Sequence, residues 1–117
     1  MTHELHRLCA ARDVAEGEIL GASLPDGTRV AVYRVDGEVY VTDDRCSHGE
    51  ASLSEEGSLD GCLVECSWHF GSFDVRTGQP VAHPCTEPIR TYVVRIVDAD
   101  VFVEVRPTVP IKACGEP

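Results

Sequence analysis

The sequence predicts an all-β domain, a sandwich or barrel, on three observations. Short apolar runs rich in β-branched residues recur at about eight to twelve residues with turn residues between them, the spacing of small all-β folds. Asp36-Gly37 separates two such runs, Arg29–Val35 and Val39–Val41, and Asp-Gly in that setting is a strong hairpin signal. No segment sustains a helical period.

The elements follow in order. Leu5 to Ala11 alternates weakly and is broken by Glu16-Gly17. Ile19 to Leu24 is a second run, closed by the turn Pro25-Asp26-Gly27. The Asp36-Gly37 hairpin comes next, and then a long Gly/Ser/acidic loop from Thr42 to Gly57. Leu59 to Cys66 predicts a turn and a strand. Ser72 to Val75 is short, and Arg76-Thr77-Gly78-Gln79 turns after it. Val81 to Pro88 predicts a loop holding two prolines. Tyr92–Val97 and Val101–Val105 flank Asp98-Ala99-Asp100 as a closing hairpin, and residues 106–117 form a tail. No internal repeat is visible.

Composition bounds the function. The chain has 117 residues, one domain's worth, and 43% of them are hydrophobic, enough for one modest core. Twenty acidic residues against ten basic leave a formal net charge of −10. Nucleic acid and anionic lipid both need a basic face, so neither is an expected partner; a soluble protein steered towards a basic partner is. No stretch approaches the roughly 18 apolar residues of a membrane span. The opening residues are charged throughout, unlike a signal peptide, which points to the cytoplasm. There, six cysteines indicate a metal more readily than disulfides.

Four residues carry the chemistry. Cys46-Ser47-His48 lies in the long loop, and Cys66-Ser67-Trp68-His69 follows a strand, giving C-x-H, residues 49–65, then C-x-x-H. Two thiolates and two imidazoles on two loops make a four-ligand metal site. The single-residue gap between Cys46 and His48 is poor for a structural zinc knuckle, whose paired ligands usually stand two to four residues apart. Each half offers one Cys and one His, so the halves can serve two irons, as in a Rieske 2Fe–2S centre. Zinc in the same cage is the competing assignment.

The flanking residues extend the pattern. Asp44 to Ser54 and Val64 to Gly71, followed by Phe73-Asp74, Thr77-Gly78 and His83-Pro84-Cys85, resemble the small Rieske ferredoxins of bacterial aromatic-ring-hydroxylating oxygenase systems. The likeness runs from about Leu5 to Val105. It implies the Rieske iron–sulfur fold: an antiparallel base, about 4–44 and 75–105, with a small inserted cluster-binding subdomain, about 45–74. It implies one 2Fe–2S cluster, with Cys46 and Cys66 on the buried inner iron and His48 and His69 on the solvent-facing outer iron. The neighbourhood of Pro84 resembles a third loop covering the cluster. The implied role is that of a soluble one-electron carrier and not an enzyme, passing electrons from an NAD(P)H-dependent flavoprotein ferredoxin reductase to a terminal dioxygenase with its own Rieske centre. A Rieske-like small subunit of a nitrite reductase and a structural zinc module are the alternatives.

Charge and the hydrogen-bond donors around the ligands set the expected potential. Two thiolates roughly neutralise the oxidised core, so a Rieske site accepts an electron more readily than a four-thiolate site. High-potential Rieske proteins add a disulfide between the cluster loops and hydroxyl donors near the sulfurs. Here Ala51 and Trp68 stand at the disulfide positions, and Gly71 and Phe73 at the hydroxyl positions. The site is therefore expected at the low-potential end of its class.

The remaining candidates are blander. Trp68 and Phe70 are read as packing of the second loop, with partner contact the alternative. Glu50, Glu55, Glu56, Asp60 and Glu65 are singly a solvated surface and together a source of steering. His83 is read as a loop residue, and His3 and His6 as tail. Cys9, Cys62, Cys85 and Cys114 are expected to be free thiols. No Ser-His-Asp arrangement, phosphate loop or dinucleotide fingerprint is present.

Overall fold

The computed structural model describes residues 4–45, 52–66, 71–82 and 88–105. They form eleven strands: β1 (Glu4–Ala10), β2 (Ile19–Ser23), β3 (Arg29–Val35), β4 (Glu38–Asp43), β5 (Gly57–Asp60), β6 (Leu63–Cys66), β7 (Ser72–Asp74), β8 (Pro80–Ala82), β9 (Thr91–Tyr92), β10 (Val94–Val97) and β11 (Asp100–Val105). The strands build three sheets, ordered β1-β11-β10, β2-β3-β4-β9 and β5-β6-β7-β8, and every pairing is antiparallel.

Strand β3 explains the layering. Side chains alternate across a strand, and this strand is buried on both faces. Ala31 and Tyr33 pack with Leu53, Val64, Cys66, Phe73, Val75 and Ile89. Val30 and Val32 pack with Cys9, Val14, Leu24, Val41, Val101 and Val103. The sheet holding β3 is thus the middle layer. This is why Val30 to Tyr33 are all apolar and do not alternate with polar residues, the pattern of a strand covered on both faces.

Turn chemistry holds the hairpins. Asp36 and Gly37 have φ of 52° and 82°, the left-handed pair that a two-residue hairpin of this kind requires. The Glu16 carboxylate accepts from both their amides, at 2.6 and 3.0 Å. Arg34 donates to the carbonyls of Val14 at 2.7 Å and Ala11 at 2.6 Å, tying the Ala11–Asp13 3₁₀ turn to this hairpin. In the middle sheet Thr42 Oγ1 donates to the Asp43 carbonyl. Its one hydrogen is therefore committed, and the buried Tyr33 hydroxyl donates to Thr42 at 2.8 Å.

The structure departs from the sequence reading in five places, one of them the unforeseen strand β5 before the Gly61 turn, which pairs with β6. The stretch from Thr42 to Gly57 is not all loop, because it contains the rest of β4 and a one-turn helix, α1 (Leu53–Glu56). Four residues are too few to show a period. The helix exists because the Ser52 hydroxyl caps it by accepting from the Glu55 amide, and because Leu53 is fully buried. Val81 belongs to a strand, β8, where a loop is predicted; β8 pairs with β7, so the sheet that carries Cys66 runs on to Ala82. The expected strand Tyr92–Val97 is interrupted at Val93: β9 pairs with β4 and β10 with β11, in different sheets. His6 is not tail but a β1 residue opposite Val103. His3, His83, Cys85 and the tail 106–117 lie outside the described residues.

Candidate metal centre

Strand β4 delivers the chain to Asp44. Its amide donates to the Arg29 carbonyl at 3.1 Å, one step beyond the β3–β4 pairing, and its carbonyl accepts from the Leu53 amide at 2.7 Å. The side chain is buried, at 4% exposure. One carboxylate oxygen accepts from the Ser54 amide at 2.7 Å and the other from the Ser52 hydroxyl at 2.5 Å. Arg45 and Ser52 then form an antiparallel bridge. The predicted ligands Cys46 and His48 fall between these two bridged residues, outside the described residues.

From Ser52 the chain needs only α1, about 6 Å of helix, to reach Gly57, which pairs with Cys66 at the end of β6. A Cβ on Gly57 would lie 2.6 Å from the Leu53 carbonyl oxygen and 3.1 Å from that of Glu65. Glycine therefore allows the helix to sit against β6. The Cys66 amide donates to the Gly71 carbonyl at 2.7 Å, closing residues 67–70, which hold predicted ligand His69. Next to Gly71, Ser72 pairs with Ala82, the last described residue before 83–87. Beyond them the Ile89 amide donates to the Gly78 carbonyl at 2.9 Å.

The turn before β8 is stiffened by Asp74. Its side chain accepts from the Arg76 amide and guanidinium at 2.8 to 3.0 Å. The guanidinium holds this carboxyl below the usual carboxylate range.

The described residues that flank 46–51 and 67–70, together with Ala82 before 83–87, thus lie at one end of the third sheet, linked through Ser52, Gly57, Cys66, Gly71 and Ser72; Ile89, beyond 83–87, meets Gly78 at the other end. Cys66 is the predicted ligand among the described residues, 1% exposed and part of the buried core cluster that includes Leu53, Val64, Phe73 and Ile89. Cys46, His48 and His69 lie outside them, and the described residues alone bring together no group of three or more His, Cys, Asp or Glu. Cys62 follows Gly61 at the opposite end of the β5–β6 hairpin, and Cys9 sits in the other core cluster. Neither forms a disulfide with another described cysteine. A buried thiol ringed by apolar side chains suits the desolvated side of a cluster, which a thiolate can neutralise.

Sequence reasoning gave Asp44 and Gly57 no individual structural role and read Gly78 only as part of a turn. The only sequence signal for Asp44 is its spacing to Ser52 and Ser54, which spans a loop and follows no regular period.

The model of the Rieske [2Fe-2S] domain matches residues 4–93. The chain belongs to the Rieske family. It is 59% identical over 102 residues to the ferredoxin component of the p-cumate 2,3-dioxygenase system of Pseudomonas putida, covering 87% of this chain and 86% of that protein. Among solved structures it is similar to the Sphingomonas yanoikuyae B1 ferredoxin, with a TM-score of 0.84 and 44% identity over 89% of this chain and 100% of the other. It is also similar to a chain in the complex of reduced oxygenase and oxidized ferredoxin in carbazole 1,9a-dioxygenase, with a TM-score of 0.81 and 40% identity over 90% and 96% of the two chains. The cofactor of this Rieske protein is one 2Fe–2S cluster, and the antiparallel Rieske fold expected from the resemblance is the fold observed.

Proposed function

We propose that this Rieske protein is the ferredoxin component of an aromatic-ring dioxygenase system, a one-electron carrier and not itself the oxygenase. The observation that carries this is the 59% identity to a dioxygenase-system ferredoxin over most of both chains. Cys46, His48, Cys66 and His69 are the proposed ligands, within one domain whose third sheet supports the cluster. When bound, the cluster supplies reversible one-electron chemistry in the Rieske range of potential. The chain's own residues anchor the loops from below: Asp44 and Ser52 hold the first, Cys66 and Gly71 the second, and Gly78 and Ile89 the third.

The electron source proposed is an NAD(P)H-dependent flavoprotein reductase, and the acceptor a terminal oxygenase with its own Rieske centre. A similar chain stands in a structure with an oxygenase, which supports the second partner. Exposed Glu55, Glu56, Asp60 and Glu65 surround the hairpin that carries Cys66. Such a surface favours fast, electrostatically steered encounter with basic partners over a large permanent interface. Among the described residues no helix is long and apolar enough to cross a membrane, and we place the protein's work in the cytoplasm.

The test is reconstitution. The purified protein should be red-brown, with iron and sulfide in equal amounts. It should bleach on addition of NADH only when a flavoprotein reductase is present, and regain colour when oxidised oxygenase follows. A colourless protein carrying zinc, or a reduced protein that transfers nothing to an oxygenase, would overturn the reading.

A further inference from the structure

The geometry points to Asp44 as the residue that positions the first ligand loop, acting through hydrogen bonds and touching no reacting atom. The inference rests on the proposed ligand role of Cys46 and His48. Every polar group of Asp44 is committed: its amide to Arg29, its carbonyl to Leu53, one carboxylate oxygen to the Ser54 amide and the other to the Ser52 hydroxyl. The first of these bonds attaches it to β3. The other three attach it to the far end of the loop, where the chain re-enters as α1. Asp44 therefore joins the chain on either side of residues 46–51 to itself and to the middle sheet. Cys46 follows it by two positions.

Stability alone does not account for a carboxylate here. Burying an ionisable group is costly, and an apolar residue of similar size would serve the core as well or better. Hydrogen bonds, unlike apolar contacts, fix direction. Four of them on one residue set the path on which the chain enters and leaves the loop. Ser52 is shared between two tasks, since its hydroxyl donates to Asp44 and accepts from the Glu55 amide. The loop foot and the α1 cap are thus one network, and α1 in turn rests on Gly57 opposite Cys66. A shift at Asp44 passes to both ligand loops.

The experiment compares Asp44→Asn, Asp44→Ala and Ser52→Ala in the full chain as isolated with its cluster. Release is followed by decay of visible absorption, and the electronic environment by EPR of the reduced protein and by voltammetry. Asn keeps the shape: its carbonyl can accept from the Ser54 amide while its NH₂ donates to the Ser52 oxygen. Asp44→Asn should therefore hold the cluster nearly as long as the parent, with an unchanged EPR line shape. Asp44→Ala should release it about tenfold faster, the factor corresponding to about 1.4 kcal/mol for its two lost side-chain hydrogen bonds, with broadened EPR features. Ser52→Ala should fall between. Gly37→Ala, at the far hairpin of β3 and β4, provides a destabilised control that should leave release and line shape unmoved.

A parent-like Asp44→Ala variant would overturn the proposal, as would an Asn variant as impaired as the Ala one. If Asp44→Ala does not fold, Ser52→Ala and Asp44→Asn decide alone: parent-like release in Ser52→Ala, or fast release in Asp44→Asn, rejects the role. Cys46→Ser, run alongside, separates the two readings. A parent-like cluster in that variant would reject the ligand assignment, whatever the Asp44 variants show.

Discussion

Gly78 and Ile89 approach so closely that a Cβ on Gly78 would stand 2.1 Å from the Ile89 carbonyl oxygen. Gly78 also has φ of 79°, and its carbonyl receives the Ile89 amide. Gly78→Ala must therefore strain the backbone and push away the foot of the third loop. We expect a loss of about 3 kcal/mol, combining left-handed strain with overpacking. Gly37 has a similar φ of 82° but nothing within 4 Å, so Gly37→Ala should cost only about 1 kcal/mol. Urea unfolding of the two variants measures both. Equal losses would show that the Ile89 contact carries no weight.

Replacing ligands should separate assembly from tuning. Cys46→Ser and Cys66→Ser should each abolish cluster assembly, read as loss of iron and of visible absorption, because thiolate is the ligand required on the inner iron. His69→Cys should keep a cluster whose potential is lower, since a negative charge is added; an unchanged or higher potential would sink the charge argument. The parent should have a midpoint near about −150 mV by protein-film voltammetry, at the low end of the Rieske range. Gly71→Ser should raise it.

Salt should slow transfer between separated components. Exposed surface charges are screened over about 10 Å at 0.1 M salt. Stopped-flow reduction by the reductase should therefore decelerate through the physiological range. Glu65→Lys, on the strand leading to Cys66, should lower the association rate more than Glu38→Lys. Glu38 is equally exposed but opens β4 at the end away from Asp44. Equal effects, or a salt-independent rate, would return the acidic flank to ordinary solvated surface.

The protein should lose stability in alkali. Burial raises the pKa of Tyr33 and of Tyr92 above the ordinary value of 10.0. For Tyr92 the hydrogen bond to Asp43, at 2.6 Å, acts in the same direction. Below that value both folded and unfolded chains keep the proton, and the stabilisation is fully present. Above it the unfolded chain releases its proton first, so stability falls as pH rises towards the folded pKa values. Urea midpoints measured from about pH 8 to about pH 11 should decline, and the slope should flatten in Tyr92→Phe. A parent-like slope in that variant would remove Tyr92 as a cause.

The sequence by itself determined what is written in neighbouring residues. The Asp36-Gly37 hairpin is legible because two adjacent residues must both adopt positive φ, and β3 was placed at its observed bounds by its β-branched run. The four proposed ligands are legible for the same reason: C-x-H and C-x-x-H are local patterns that need no knowledge of the fold, and Cys66 proves to be buried at a strand end. Only the tertiary structure decided which distant segments meet. It split the run from Thr91 to Val97 between two sheets, because β4 and β11 compete for its hydrogen bonds. It turned Val81 into a strand because β7 offers an open edge. It joined the chain on either side of residues 46–51 and made Asp44 the buried fastening there, although Arg29 and Ser52 stand far apart in the sequence. Turn conformations are set by the residues that adopt them. Pairings across the fold depend on partners separated by long loops, and only the closed chain supplies those partners.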